Sequence, residues 1–312
     1  MTLDVDGLLD RRRLKRRLIV WRALAVLAVA GLAFLALHPG GKDAFGLDEG
    51  PHVARISVTG IITEDDDVLD TLDEIADDDT AKALIVHVDS PGGTVVGGET
   101  LYRRLREVAA KKPVVATMGT TAASAGYMVA IAADRIYAHS GTITGSIGVL
   151  MQAPNVVGLL DKMGVQVDAM KSAPLKAVPS PLEKLTPEGR AATQAVVDDM
   201  FHMFTGMVVE RRKMPVDKVT ALADGRIYTG NQALQNGLVD AIGGETEARE
   251  WLEKEHHIST DLPLVDRDPE EETGLFQSTA HALARAIGGK TLLSERLILD
   301  GLVAVWHPDL RS

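Results

Sequence analysis

The hydrophobic positions of the chain form one long apolar run near the N-terminus, over Leu18–Leu37. About 20 residues of helix span the roughly 30 Å of a bilayer core, so the run predicts a transmembrane helix over residues 18–38. Residues 1–17 are basic, and the positive-inside rule predicts that they lie in the cytoplasm. A cleaved signal peptide is the alternative. Leu35–Gly40 lacks a small-x-small cleavage site, which favours an uncleaved signal anchor.

Beyond a short linker over residues 39–50, apolar runs of strand length alternate with helical patterns. The predicted strands are Val53–Val58, Ala83–Val88, Pro113–Met118, Arg135–Ala138 and Val165–Met170. Helical patterns lie between these runs, and a longer helix begins at Thr186, with Thr as its N-cap and Pro at its first position. This alternation predicts βαβ units, and therefore an α/β domain with a mainly parallel sheet over residues 51–265.

The C-terminal tail, residues 266–312, is harder to interpret. Asp266–Gly274 is acidic and is typical of a linker, whereas Leu275–Leu299 suggests amphipathic helices. An apolar patch, Leu302–Trp306, lies near the C-terminus. This patch is expected either to pack on the domain or to contact a neighbouring subunit.

Composition excludes several classes of function. The formal net charge is −11, which argues against a nucleic-acid partner, because the phosphates would be repelled. The chain has no cysteine, so thiolate catalysis, Cys-ligated zinc and disulfides are excluded. There is no H-E-x-x-H spacing, and the neighbours His256 and His257 face different ways, so no metal or other cofactor is predicted.

Ser124 is the first candidate catalytic residue. It lies among small residues, Ala122, Ala123, Ala125 and Gly126, where a predicted strand gives way to a helix. A serine at a helix start is more often only a cap. The small neighbours, however, leave the hydroxyl open to an extended substrate, and the N–H of Ala125 could serve as an oxyanion donor.

A lysine could supply the base that such a serine needs, because a desolvated amine loses its proton more easily. Lys176 has the apolar neighbours Pro174, Leu175, Ala177 and Val178, although most lysines are solvated surface groups. On bare chemistry Lys171 is a rival for the same role.

Two further motifs could complete a site. Asp89–Gly93 comes directly after a buried strand, and its paired glycines, Gly92 and Gly93, could present N–H groups to an oxyanion. A simple strand–helix turn is the plainer interpretation of Pro-Gly-Gly. Ser146 could hydrogen-bond the amine and orient it, or could be an ordinary turn serine.

Taken in order, these motifs resemble the signal peptide peptidase A (SppA) family in its short, single-repeat form. The matching segments are Asp89–Gly93, Met118–Tyr127, Thr144–Val149, Lys171–Lys176, Asp224–Gly230 and Gly237–Asp240. The resemblance extends from about Val53 to Gly244. It implies a Clp-protease/crotonase-like α/β core, with mainly parallel sheets and flanking helices, after one N-terminal transmembrane helix.

The resemblance also implies a serine–lysine dyad. Ser124 would be the nucleophile, Lys176 the general base, and Ser146 the residue that orients the base. The implied oxyanion donors are Ala125 and either Gly92 or Gly93. The family usually has Gly where this chain has Ala125, and since only the backbone N–H is used, Ala is expected to be tolerated there.

The function implied is that of a serine endopeptidase, anchored in the cytoplasmic membrane of a bacterium by one span, with its catalytic domain outside the cytoplasm. Its partners would be cleaved signal peptides or other apolar peptides, the membrane, and further copies in a ring-like homo-oligomer. Two alternatives stay open: a protease that cleaves apolar segments of membrane proteins, like the stomatin-cleaving enzymes, and a crotonase-like acyl-CoA enzyme or inactive scaffold on the same fold.

Overall fold

The computed structural model describes residues 21–22, 25–26, 50–269 and 302–305. Residues 1–50 and 51–312 form two separate compact units. Most of the predicted span over residues 18–38 and of the linker over 39–50 lies outside the described residues; the four described positions of the span are helical. Among the described residues, no helix has both the length and the apolar character needed to cross a membrane.

Strands and helices alternate through the second unit. The strands are β1 His52–Ile62, β2 Ala81–Thr94, β3 Val114–Ala123, β4 Arg135–Ala138, β5 Ile143–Gly145, β6 Leu150–Met151, β7 Ile227–Thr229, β8 Ala241–Ile242, β9 Leu264–Asp266 and β10 Leu302–Val305. The helices are α1 Asp66–Asp77, α2 Val95–Ala109, α3 Ala125–Ala130, α4 Val157–Lys162, α5 Pro187–Arg212, α6 Val216–Leu222, α7 Gly230–Asn236 and α8 Glu245–His256.

The centre of the fold is a parallel sheet. β9, β1, β2, β3, β4 and β8 lie side by side in that order, and every pairing among them is parallel. Parallel strands need crossover connections, which α1, α2 and α3 supply between successive strands. The predicted α/β class with a mainly parallel sheet is therefore confirmed.

At their carboxyl ends, β2 and β3 acquire new partners, while Ser90 of β2 still pairs with Ala122 of β3. The end of β3, Thr121–Ala123, pairs with β5, which in turn pairs with β7. The end of β2, Gly92–Thr94, pairs antiparallel with β10, and β10 pairs with β6. This exchange of partners takes place at the carboxyl edge of the sheet, where ligands of open α/β sheets usually bind.

The two faces of the sheet are covered differently. The larger core packs α1, α2, α3 and α5 on one face through buried side chains such as Leu72, Leu105, Met128 and Phe204. A smaller cluster on the other face joins Ile85 and Val115 of the sheet to Ala248 and Leu252 of α8. α3 is buried over its whole length, so its first residues are held rigidly.

The structure corrects the predicted ends of two strands. β2 continues through Asp89–Gly93, and β3 through Gly119–Thr121, although Pro91 and the glycines of the first segment, and Gly119 and the threonines of the second, predicted breaks. Gly93 shows the reason, because a Cβ there would lie 1.8 Å from the carbonyl oxygen of Ile62 on β1. Glycine allows a close strand approach here, rather than ending the strand.

The strand predicted over Val165–Met170 is wrong. These residues have no regular secondary structure, and Met170 is fully exposed. An alternating pattern forms a strand only where a neighbouring edge pairs with it, and no described strand lies against this segment. The long helix predicted from Thr186 to about Arg212 is confirmed as α5, with the Thr186 hydroxyl accepting from the N–H of Gly189 at 3.0 Å.

Candidate active site

Ser124 lies between the last residue of β3 and the first residue of α3. Its φ is +57° and its ψ is −118°, a conformation that serine rarely adopts and that persists only where the surroundings enforce it. Its N–H donates to the carbonyl of Gly145 at 2.9 Å, and its carbonyl accepts from the N–H of Met128 at 2.9 Å. β5 and α3 therefore both fix the backbone of Ser124.

The Ser124 hydroxyl is not used as a helix cap. Within the described part of the chain, Ser124 makes no side-chain capping bond, whereas Thr94, Thr186 and Thr229 cap their helices in the usual way. Ser124 is almost wholly buried, at 1% exposure, so the small neighbours do not leave its hydroxyl open in the single chain as the sequence predicted. A serine held at positive φ whose hydroxyl does not cap its helix is a candidate nucleophile, because backbone strain of this kind concentrates at functional sites.

α3 holds this serine against the rest of the domain. The hydroxyl of Tyr127 donates to the carbonyl of Leu238 at 2.8 Å, and burial raises the pKa of this phenol well above its ordinary value. Next to the serine, Ala125 packs against Gly98 of α2, where an added Cβ would lie 3.0 Å from the Ala125 Cβ. The N-terminus of α3 is thus fixed from two sides.

Ser146 comes directly after the residue that binds the Ser124 amide. Its φ is also positive, +49°, and its N–H donates to the carbonyl of Arg226 at 2.8 Å. The neighbouring Gly145 has a φ of +85°, and a Cβ there would lie 2.6 Å from the Tyr228 ring. The structure therefore brings Ser124 and Ser146 together on adjoining strand ends.

The two candidate oxyanion glycines have different surroundings. The N–H of Gly92 donates to Ser90 Oγ at 3.1 Å, while the Ser90 hydroxyl donates to the carbonyl of Gly60 at 2.6 Å. The carbonyl of Ser90 lies so close to Gly126 of α3 that a Cβ on that glycine would approach it to 2.8 Å. The end of β2 therefore packs against the first turn of the serine helix.

The edge of β2 beside these glycines carries another strand. In antiparallel register, β10 pairs Val303 with Thr94, Ala304 with Gly93 and Val305 with Gly92. On its other side β10 pairs antiparallel with β6. An extended segment of the chain itself thus lies at the carboxyl edge of the sheet.

The two candidate lysines, Lys171 and Lys176, have different surroundings. Lys171 forms an ion pair with Glu183, and both side chains are at least partly buried. Lys176 lies later in the same connection between α4 and α5 and is exposed, and no hydrogen bond or ion pair of its side chain occurs among the described residues. In the single chain, then, Lys171 is engaged and Lys176 is available, but Lys176 is not desolvated and no contact joins it to Ser124.

Comparisons with known proteins agree with this geometry. The sequence pattern of peptidase family S49 matches residues 106–259, and that of Clp protease matches residues 55–142. A protease homologue of Synechocystis sp. is 43% identical over 77% of this chain and 84% of its own length. An SppA homologue of Enterococcus faecium is 34% identical over 81% of this chain and 78% of its own. The chain belongs to peptidase family S49.

Membership of family S49 makes this chain a serine peptidase with a Clp-protease-like domain. Similarity extends to the chloroplastic serine protease SPPA of Arabidopsis thaliana, at 31% identity over 67% of this chain and 32% of that larger protein. In the S49 peptidase described here, residues 50–269 contain no group of three acidic or histidine side chains that could hold a metal ion.

Two polar residues beside the candidate site were not singled out from the sequence. Ser90 is completely buried and joins β1 to the turn at Gly92, while Asp89 accepts the N–H of Thr121 at 2.9 Å. A polar pair directly before Pro91 in an otherwise apolar strand is the signal that could have identified them. Such residues survive burial only when hydrogen bonds satisfy them.

Proposed function

We propose that this S49 peptidase is a membrane-anchored endopeptidase that uses Ser124 as nucleophile and Lys176 as general base, and that it cleaves signal peptides left in the membrane after their release from preproteins. The observation that carries the proposal is the backbone of Ser124, held at positive φ with its hydroxyl free of any capping role. Holding a hydroxyl in a fixed, strained position fits nucleophilic attack.

The reaction proceeds in two balanced steps. Neutral Lys176 accepts the Ser124 proton as Oγ attacks the peptide carbonyl, and the resulting ammonium then gives that proton to the departing amine. Water next attacks the acyl-enzyme, losing its proton to Lys176, and the proton returns to Ser124 as the ester breaks. The Ser146 hydroxyl accepts a hydrogen bond from the amine and orients it.

Backbone N–H groups stabilise the oxyanion in this proposal. The N–H of Gly92 is already engaged by Ser90 Oγ, so Gly93 is the better partner for Ala125. Each donor of an oxyanion hole contributes roughly 10²–10³-fold to the rate. Ala125 supplies only its N–H, so its methyl group in place of the family's usual hydrogen does not prevent this role.

Exposure of Lys176 indicates that a single chain does not complete the site. The segment around it also exposes large apolar side chains, with Met163 at 66%, Met170 at 100% and Leu175 at 40%. Exposed apolar groups clustered in one segment are typical of an interface. In our proposal a ring-like homo-oligomer covers this segment and removes water from around the amine, which favours the neutral base.

An extended apolar peptide is the substrate that fits. The edge of β2 already accepts β10 as an antiparallel strand, so a peptide can bind there by strand addition. Beside β6 lies a cavity of about 450 Å³, where apolar side chains such as Val149, Met151 and Leu185 lie next to the polar side chains of Arg190, Thr193 and Gln194. Substrates with small or apolar side chains are therefore preferred, and leftover signal peptides have such side chains.

The predicted span over residues 18–38 gives this proposal its location. It would hold the enzyme in the cytoplasmic membrane of a bacterium, with residues 1–17 in the cytoplasm and the peptidase domain outside. Membership of a peptidase family favours peptide hydrolysis over the acyl-CoA alternative. Cleavage of apolar segments in intact membrane proteins is the remaining rival, and the peptides that accumulate in cells separate the two.

Two experiments test the proposal. In the first, Ser124→Ala and Lys176→Ala are assayed on an apolar peptide, with Lys171→Ala as the matched control because Lys171 is engaged by Glu183. Both dyad variants are expected to lose roughly 10²–10⁴-fold or more in kcat, and the control to lose far less. Full activity in either dyad variant would refute the assignment.

In the second experiment, peptides are compared between cells that carry the wild-type chain and cells that carry Ser124→Ala. Accumulation of intact signal peptides in the variant cells is expected. Accumulation of uncleaved membrane proteins, with signal peptides unchanged, would favour the rival substrate class.

A further inference from the structure

Asp89 lies where the pairing between β2 and β3 becomes irregular. Val88 pairs with Met118, and Ser90 pairs with Ala122, so one residue of β2 faces three residues of β3. The three facing positions, residues 119–121, form a bulge with two extra residues just before the segment that leads to Ser124. Bulges of this kind bend a strand and redirect the side chains beyond them, and they are common beside active sites.

The Asp89 carboxylate is the group that fills this bulge. Its Oδ1 accepts the N–H of Thr121 at 2.9 Å. Its side chain also lies against Gly119, where an added Cβ would approach the Asp89 Cβ and Cγ to 2.9 Å. No cationic side chain pairs with Asp89 anywhere in residues 50–269, so the amide of the bulge is its principal partner.

The opposite side of the bulge is held by Thr142. Its hydroxyl donates to the carbonyl of Gly119 at 2.7 Å and accepts the N–H of His139 at 3.0 Å. Asp89 and Thr142 therefore hold residues 119–121 from two sides. Beyond the bulge, β3 changes partner and pairs with β5, ending one residue before Ser124.

We propose that Asp89 is a positioning residue of this peptidase: by accepting the Thr121 N–H and packing on Gly119, it fixes the bulge that directs Ser124 toward its substrate. The proposal rests on the proposed role of Ser124 as nucleophile. Asp89 itself touches neither substrate nor reacting atoms. Its effect comes from geometry, because a misplacement of about 1 Å can cost on the order of 10²-fold in rate.

The test measures how fast a fluorophosphonate probe acylates Ser124, together with kcat and KM on an apolar peptide. Asp89→Ala removes the acceptor and is expected to lower both the acylation rate and kcat roughly tenfold or more, with KM nearly unchanged. Asp89→Asn keeps a side-chain oxygen for the Thr121 N–H and is expected to recover most of the rate. That rescue distinguishes positioning by an acceptor from a general effect of charge.

Asp134→Ala is the matched control. Asp134 also accepts a backbone N–H of β3, that of Val114 at 3.2 Å, but at the far end of the strand. This variant is expected to lower the melting temperature without a comparable loss of acylation rate. If Asp89→Ala folds too poorly to assay, Gly119→Ala displaces the carboxylate while retaining it, and is expected to show the same loss of rate.

The proposal would be overturned if the probe acylated Asp89→Ala or Gly119→Ala at a rate within twofold of wild type. Equal impairment of Asp89→Asn and Asp89→Ala would also overturn it. Ser124→Ala separates this failure from failure of the proposed function. If that variant is still labelled by the probe, Ser124 is not the nucleophile. If its labelling is lost while Asp89→Ala reacts normally, only the role of Asp89 is refuted.

Discussion

The backbone N–H of Ser124 donates a hydrogen bond to the carbonyl of Gly145 across 2.9 Å. This bond joins the end of β3 to the end of β5 and places Ser146, the next residue, beside the nucleophile candidate. Both serines have positive φ, +57° and +49°. Two strained serines at adjoining strand ends are better explained by a shared reaction than by folding alone.

Replacing Ser146 is expected to lower turnover without unfolding the protein. Ser146→Gly suits the positive φ, since glycine adopts it without strain, and removes only the hydroxyl. If that hydroxyl orients the base, kcat should fall roughly tenfold or more while KM changes little. Steady-state kinetics and a melting curve provide the check. Unchanged kcat in a folded Ser146→Gly enzyme would leave Ser146 as an ordinary turn residue.

Gly93→Ala should disrupt the site through the backbone. The new methyl group would overlap the Ile62 carbonyl, from which an ideal Cβ lies only 1.8 Å away. Because the obstacle is main chain, β1 and β2 must move apart, at a cost of roughly 1–3 kcal/mol in unfolding free energy. Activity should fall as well, since the N–H of Gly93 is displaced from the oxyanion position.

A matched glycine variant separates these effects. Gly141→Ala adds a methyl group where no atom lies within 4 Å, so it should leave stability and activity near wild type. Chemical denaturation and peptide hydrolysis are measured on both variants. Wild-type stability in Gly93→Ala would contradict the tight approach of β1 and β2.

Much of the fold could be predicted because its strands are continuous apolar runs. Buried parallel strands such as Ala83–Val88 carry their own signal, and the cap at Thr186 marks the start of α5. The ends of β2 and β3 could not be predicted, since glycine and threonine there are stabilised by β1, β5 and β10 rather than by their own propensity. The strand predicted over Val165–Met170 is wrong for the opposite reason, because its alternating pattern has no partner strand among the described residues.

In the candidate site, too, local signals could be predicted from the sequence, whereas contacts between distant segments could not. The local signal at Ser124, small residues at a strand–helix junction, predicted its position, and the structure adds the strain and the free hydroxyl. The surroundings of Lys176 could not be predicted, because desolvation depends on what packs over the loop, and apolar sequence neighbours do not provide that packing. The role of Asp89 needed the register of two strands, which a single sequence does not reveal.

Acid should weaken the domain through Asp78, which accepts hydrogen bonds from Thr80 and pairs with Arg267 at 3.3 Å. Burial alone would raise the pKa of Asp78, but the hydrogen bonds from Thr80 and from the Ala81 backbone, with the attraction of His52, together lower the pKa below its ordinary value. A carboxyl whose pKa is lowered by folding stabilises the protein above its unfolded pKa. That stability is lost as the pH falls from the unfolded pKa through the lower folded value.

Asp78→Asn removes this dependence. The variant is expected to melt at a lower temperature at pH 7 and to lose less on acidification than wild type does. Melting temperatures at several pH values measure both effects, and Asp79→Asn controls for a general change of charge at this turn. Parallel pH curves for wild type and Asp78→Asn would show that another carboxyl carries the acid sensitivity.

Removing β10 should make the peptidase faster on short peptides. β10 pairs with Gly92–Thr94, the same edge that a substrate would join as an added strand, so a bound peptide has to displace it. A chain ending at Asp300 lacks β10 and should show a severalfold higher kcat/KM on an apolar peptide, mainly through a lower KM.

A chain ending at Trp306 retains β10 and lacks only residues 307–312, so it should behave like the full chain. Equal kcat/KM for all three chains would mean that substrate binds elsewhere. The native mass of the same chains tests whether this segment instead contacts a neighbouring subunit, in which case the chain ending at Asp300 would form smaller assemblies.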